Sequence, residues 1–173
     1  IKFDLKQVAL PAHSVITNVT IHFNLPSLNR PDTTAVDYEF YLVNVSWGEG
    51  TKLGNTGSSA TAGEATWNQR SVPTSWTAPG AVQGSDYEPF PSGHGNLGPA
   101  PGQYTIPSTL GLIRDVQLWI AQPERNFGWL GKAVDESVIQ SAKRFSSRES
   151  GNPALLQIDY TILDDIVITH HEH

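Results

Sequence analysis

The chain has 173 residues, a formal charge of −6 and a pI near 5.4, which removes the basic footprint that duplex nucleic acid demands. It has no Cys, so thiol catalysis and Cys-based metal or haem sites are excluded, and no run of about 18 apolar residues that would span a membrane. Fifteen Gly, twelve Pro and only 16% charged residues suit one loop-rich all-β domain over 1–173 better than a helical one. The first residue is Ile rather than Met, as expected of a processed or trimmed product.

In chain order, Ile1, Phe3 and Leu5 alternate with Lys2 and Asp4 as in a half-buried strand. A second strand is predicted over Val15 to Leu25, where Val19, Ile21 and Phe23 alternate with Thr20 and His22. After a loop from Pro26 to Thr34, Val36, Tyr38, Phe40 and Leu42 oppose Asp37, Glu39, Tyr41 and Val43, the cleanest period-two pattern and the expected central strand. Residues 47–103 read as long ordered loops folded over one edge, because Trp47, Trp67, Trp76, Tyr87 and Phe90 are too many aromatics for a disordered linker. Within them, Phe90 to Gly102 is the expected mobile part.

Gln103 to Pro107 reads as a short strand, and Ser108-Thr109 as the cap of a single helical turn ending at Ile113. Strands are predicted at Val116 to Ala121, Phe127 to Val134 and Ser141 to Ser147, and then at Leu156 to Ile162 after the turn Ser150-Gly151-Asn152-Pro153. Roughly eight or nine short strands separated by loops predict an antiparallel β-sandwich of jelly-roll type, followed by a tail over 164–173.

Several of these segments carry a resemblance. The order Gly128-Trp129-Leu130, Lys132, Asp135-Glu136-Ser137, Arg144-Phe145-Ser146-Ser147-Arg148-Glu149, Pro153, Leu155, Tyr160-Thr161 is similar to the C-terminal half of the DNRLRE domain family. Ile1-Lys2-Phe3-Asp4-Leu5 with Leu10-Pro11-Ala12-His13-Ser14-Val15-Ile16 resembles the opening of that family. Ser46-Trp47-Gly48-Glu49-Gly50, Ala65-Thr66-Trp67-Asn68-Gln69-Arg70 and Trp76-Thr77-Ala78-Pro79-Gly80 resemble its middle, so the likeness covers almost the whole chain. It implies a disaggregatase-related β-sandwich module of a secreted protein, akin to carbohydrate-binding modules.

Trp119, Trp129, Lys132, Lys143 and Arg144 are the candidate ligand residues. Aromatic rings stack on the C–H faces of sugars, and Lys or Arg binds uronate carboxylates or sulfates. A Trp in a strand is more often core than ligand platform, and Trp47, Trp67 and Trp76 serve either to bind or to anchor their loops. Arg148 and Glu149, being adjacent, face opposite sides of a strand; one of them is expected in a structural network with Asp135 or Glu136. Glu49, Asp86 and Glu88, with Asp135 and Glu136, are oxygen donors of the kind Ca²⁺ takes, without the spacing of an EF-hand loop.

His170, His171 and His173 with Glu172 are metal-capable imidazoles on a tail without supporting shell, read as solvated. Asn18-Val19-Thr20 and Asn44-Val45-Ser46 match the glycosylation sequon inside strand-like segments, where chance suffices. No Gly-x-Ser-x-Gly, His-Glu-x-x-His or Gly-rich phosphate loop accompanies His13, His22 and His94, and a carboxylate pair can always be picked from seventeen acids.

The expected function is a non-catalytic extracellular or cell-surface module that binds polysaccharide. The alternative is a structural subunit of a surface layer, filament or pilus-like assembly. The chain starts almost on its Phe-Asp-Leu element, so without preceding strands a sheet edge is open, and the apolar stretch Ile162-Leu163 with Ile166-Val167-Ile168 is a candidate strand for donation to a neighbour. A polysaccharide hydrolase or lyase is third.

Overall fold

The computed structural model describes residues 1–26, 34–50, 58–139, 141–148 and 150–163. Glu149, the tail 164–173 with His170, His171, Glu172 and His173, and with it the Ile166 to Ile168 part of the candidate donor stretch, lie outside them; Ile162 of that stretch ends a strand, Leu155–Ile162, of the sheet.

The first strand, β1 (Ser14–Leu25), follows the predicted alternation: Val19, Ile21, Phe23 and Leu25 are buried while Thr20, His22 and Asn24 are only half-buried. Ile16 is also buried although its parity is wrong. The register against its neighbour slips between Ile16 and Asn18, so one inserted residue moves the inward set from even to odd numbers. The central strand β2 (Val36–Leu42) points Phe40 and Leu42 into the same core.

Residues 47–103 hold more regular structure than their composition suggests. A small hairpin is formed by β3 (Gln69–Ser71) and β4 (Thr74–Ser75), and β5 (Gly93–Leu97) lies in the stretch expected to be mobile. Gly93 and Gly95 look like loop residues but are required by packing. A β-carbon would come within 2.9 Å of Leu112 Cδ1 at the first and 2.7 Å of Ile106 Cδ1 at the second. Then come β6 (Gly102–Ile106), a helix α1 (Leu110–Ala121), a 3₁₀ turn over Pro123–Arg125, β7 (Trp129–Ala133) and β8 (Leu155–Ile162).

Val116 to Ala121 is helical, not a strand, and the predicted single turn is the start of that helix. Thr109 Oγ1 caps it by accepting a bond from the Leu112 amide at 3.1 Å. Leu112, Val116 and Trp119 recur at helical spacing and are fully buried, with Asp115 among them. Val116, Leu118 and Ile120 also alternate at period two, so the stretch carries a strand pattern alongside the helical one.

Two further predicted strands are not part of any ladder. Ile1 to Leu5 makes a reciprocal pair of main-chain bonds only at its first residue, Ile1 N–H to Trp129 O (2.6 Å) and Trp129 N–H to Ile1 O (2.8 Å). Residues 141–147 are held at intervals instead, by Ser146 N–H to Asn24 O (2.9 Å) and by Phe145 against Phe23, ring centroids 4.8 Å apart. Alternation alone predicts an extended chain; whether it joins a ladder depends on what runs beside it.

The chain is thus mostly β, with its strands in antiparallel sheets and one short helix. One sheet runs β6-β1-β8 and the other β5-β2-β7. Phe23 of the first stacks on Phe40 of the second, centroids 5.5 Å apart, and residues of both sheets join α1 in one apolar cluster. Because β5 and β6 lie against each other, β7 and β8 are left as the edges at the other end. The clefts described next open there.

Candidate functional site

The outer side of β7 borders a cleft of about 560 Å³ lined by Trp67, Gly80, Lys132, Glu136, Ser141 and Tyr38, among others. Trp67 is 72% exposed, yet the backbone that carries it is tied down. Its carbonyl accepts the Gly80 amide at 2.7 Å, and the neighbouring Thr66 carbonyl accepts Trp76 Nε1 at 3.0 Å. Thr66 Oγ1 takes the Gln69 amide at 3.0 Å. Gly80 has φ +85°, and a β-carbon there would sit 2.5 Å from the Trp67 ring, so the indole rests directly on bare backbone. A large flat ring is therefore presented to solvent with little freedom to lose.

Lys132, exposed on β7, stands opposite Glu39 of β2, and Glu39 stands opposite His94 of β5 on its other side. Glu39 Oε2 accepts the phenol of Tyr41, which Tyr87 covers edge-on at 5.3 Å. Burial first, and then the Glu39 bond and charge, push the Tyr41 hydroxyl up to about 12. Burial also raises Tyr38.

A second cleft, of about 570 Å³, opens by the first residues of the chain. Its walls include Phe3, Trp47, Trp119 and Asn126, and its rim carries an ion pair between Arg148 Nη1 and Glu49 Oε2 at 3.0 Å. Trp47 is an anchor: its Nε1 donates to Phe127 O at 2.7 Å. Between the two clefts lies an apolar pocket of about 290 Å³ that shares Tyr38 and Gly131 with the first and Ile1, Ser146 and Ala154 with the second.

The five candidate ligand residues separate. Trp119 and Trp129 are core residues, 0% and 1% exposed, with ring centroids 4.4 Å apart. Trp119 lies on the buried stripe of α1, and Trp129 points inward from β7 with its Nε1 bonded to the buried Asp115 carboxylate, so neither offers a ring face to a ligand. Lys143, half-buried, donates to the carbonyl of Thr34; its partial burial lowers its pKa. Arg144 is exposed on the same segment. Lys132 alone of the five lines the cleft beside Trp67.

The expected network is rearranged too. Arg148 pairs with Glu49 rather than with Asp135 or Glu136, because residues 141–148 run toward the loop after β2 instead of folding back on the Asp135 turn. Asp135 accepts the Ser137 hydroxyl (2.6 Å) and amide (2.9 Å), bonds that hold its carboxyl below the usual range, and Glu136 lines the Trp67 cleft. Asp86 is buried and spoken for by Thr77 Oγ1 (2.9 Å), Thr77 N–H (3.1 Å) and Val82 N–H (2.8 Å), so it organises its loop. Glu88 receives no such assembly: its amide donates to Leu42 O at 2.9 Å. Among the described residues no three His, Asp or Glu side chains gather as a cation site.

No family model, curated protein or solved structure matches the chain. What the site can do chemically rests on its own groups. They are a rigid exposed indole, a cation and a carboxylate within one open cleft, suited to stacking and to polar contacts along a ligand rather than to enclosing one. Trp67 was not singled out by sequence, since Trp47, Trp67 and Trp76 are alike in composition of surroundings. The one available cue was Pro79-Gly80, a turn able to seat a ring.

Proposed function

We propose that the chain is a non-catalytic, extracellular or cell-surface module that binds polysaccharide, built as a β-sandwich of jelly-roll type and related to the DNRLRE domains it resembles. Trp67 carries this reading: an indole held out into solvent on a glycine, in a cleft with Lys132 and Glu136. Sugar rings stack their C–H faces on such a surface, and Lys132 favours uronate or sulfate groups on the same chain. The openness of the cleft suits an internal stretch of a long glycan.

Affinity gel electrophoresis in polyuronate, sulfated and neutral glycans tests this. Trp67→Ala is expected to weaken retardation by at least about tenfold, equivalent to 1.4 kcal/mol, with the urea unfolding midpoint unchanged. Lys132→Ala is expected to weaken binding to the acidic glycans selectively and more at low salt. Retardation that survives Trp67→Ala in full would refute the assignment of the site, and no retardation in any glycan would refute the function.

A further inference from the structure

From two buried polar atoms that share one cleft we infer that the chain has a second ligand site, in the cleft of about 570 Å³ walled by residues 1–6, and that it takes the acetamido group of an N-acetylamino sugar. Trp119 is 0% exposed and Asn126 5%, yet both line this cleft, so they form its floor. Trp119 Nε1 and Asn126 Oδ1 have no hydrogen-bond partner among the described residues. Buried polar atoms are rarely left so, because each gives up its bond to water on folding. The orientation of the Asn126 amide is fixed: its Nδ2 donates to Phe3 O at 2.8 Å, and a flipped amide would set oxygen against oxygen. The floor therefore offers one acceptor, on Asn126, and one donor, on the edge of an indole whose ring packs on Trp129. From Ile1 to Phe3 the chain passes Trp129, Gly128 and Asn126 in turn. It leads toward this floor, and whatever precedes Ile1 leads away from it along β7.

The pair selects the group that answers it. A carboxylate satisfies the indole N–H but sets its charge against the Asn126 oxygen, and an ammonium group, a donor only, leaves the indole unanswered. A neutral group with one acceptor and one donor answers both. Water is such a group, but one water occupies about 30 Å³, and this cleft is many times larger. A hydroxyl also answers both and brings no apolar surface, whereas Phe3, Leu5, Trp47 and Pro123 line the cleft. A secondary amide with a methyl cap supplies all three parts: a carbonyl for Trp119, an N–H for Asn126 and a methyl for the apolar wall. The rim is of another kind. Lys6, Asp4 and the Arg148–Glu49 pair at 3.0 Å stand there, groups that donate to or accept from the hydroxyls of a sugar ring. That a sugar carries the amide rests on the reading of the chain as a glycan binder; the donor and acceptor on the floor do not. The cleft shares no lining residue with that of Trp67.

The test is an NMR titration of the nitrogen-labelled chain with N-acetylglucosamine, glucose and N-acetyl-lysine. Five tryptophans give five indole N–H signals, and the one missing from Trp119→Phe is that of Trp119. It is expected to move with N-acetylglucosamine at a dissociation constant at least about tenfold below that for glucose, which has a hydroxyl in place of the amide. Ser147 is exposed at the same cleft, and Ser147→Phe, which plugs the mouth without touching the core, is expected to abolish the movement and leave the urea midpoint unchanged. Trp67→Ala is expected to leave the titration as it is. No movement of any indole signal of the unmodified chain with N-acetylglucosamine, or equal affinity for glucose, overturns the inference, and equal affinity for N-acetyl-lysine overturns the choice of a sugar. A flat titration beside Trp67-dependent retardation removes this site alone. Movement of the Trp119 signal with no retardation in any glycan upholds this site and refutes the other.

Discussion

Replacing Trp129 with Ala is expected to lower the unfolding free energy by about 5 kcal/mol, a large share of what a domain of ordinary stability has. Trp129 is 1% exposed and wedged between Trp119, at 4.4 Å between centroids, and Phe3, edge-on at 6.3 Å. Truncation removes that contact area and leaves a cavity the two sheets and α1 cannot all close. It also removes a hydrogen bond that matters more than its length. Asp115 is wholly buried; its Oδ2 accepts Trp129 Nε1 at 2.8 Å while Oδ1 accepts Arg114 Nη2 at 3.0 Å and Nε at 3.2 Å. Arg114 is largely exposed and screened by water, so the indole is the partner that satisfies the carboxylate inside the protein.

Trp129→Phe separates the two contributions. It keeps most of the packing but strands Oδ2, and is expected to cost about 2–3 kcal/mol, the loss of a buried bond to a charged acceptor. Combined with Asp115→Asn it should show coupling of about 1 kcal/mol or more in a double-mutant cycle by urea denaturation. A cost below about 2 kcal/mol for Trp129→Ala would mean the core is not organised around this pair. The contrast with Trp67 is diagnostic. Both variants would lose glycan retardation, but Trp129→Ala by unfolding and Trp67→Ala with the fold intact.

The same two tryptophans show how far sequence reaches in this chain. The strands β1 and β2 were legible, since one face of each is buried by a second sheet and period two is the direct imprint of that burial. The helix α1 was not, because Asp115 interrupts its buried stripe and the remaining apolar residues also fit alternation. That Asp is acceptable in the core only through Trp129, 14 residues further on and in another element. No local pattern encodes such a bond. Gly93 and Gly95 were read as loop for a related reason: the need for a missing β-carbon lies in Leu112 and Ile106, not in their neighbours. Of the site, charge and aromatic type were readable and exposure was not. Lys132 lines the cleft, Trp129 in the same strand turns inward, and Trp67 emerges from a loop whose course is set by Asp86, Thr66 and Gly80.

Alkaline pH is expected to destabilise the protein in a window set by Tyr41. Its hydroxyl, raised from 10 to about 12, ionises in the unfolded chain first. A group whose folded pKa is raised adds stability that is complete below the unfolded value and disappears as pH climbs through the folded one. Stability is therefore expected to fall by about 2–3 kcal/mol from this group as pH rises from 10 to 12, on the scale of 1.36 kcal/mol per unit. Tyr41→Phe deletes that slope and costs about 1 kcal/mol at neutral pH through the lost bond to Glu39. Urea unfolding of both proteins across the window isolates the effect as their difference, since every other titrating group is common to both. Parallel loss of stability in the two would show that Tyr41 is not held in its protonated form by the fold. The bond has a second consequence at the site. Glu39 stands opposite Lys132, and a carboxylate fixed by Tyr41 is less free to swing onto the lysine. Tyr41→Phe is thus expected to weaken acidic-glycan retardation modestly while leaving Trp67 stacking, and with it binding to neutral glycans, unaltered.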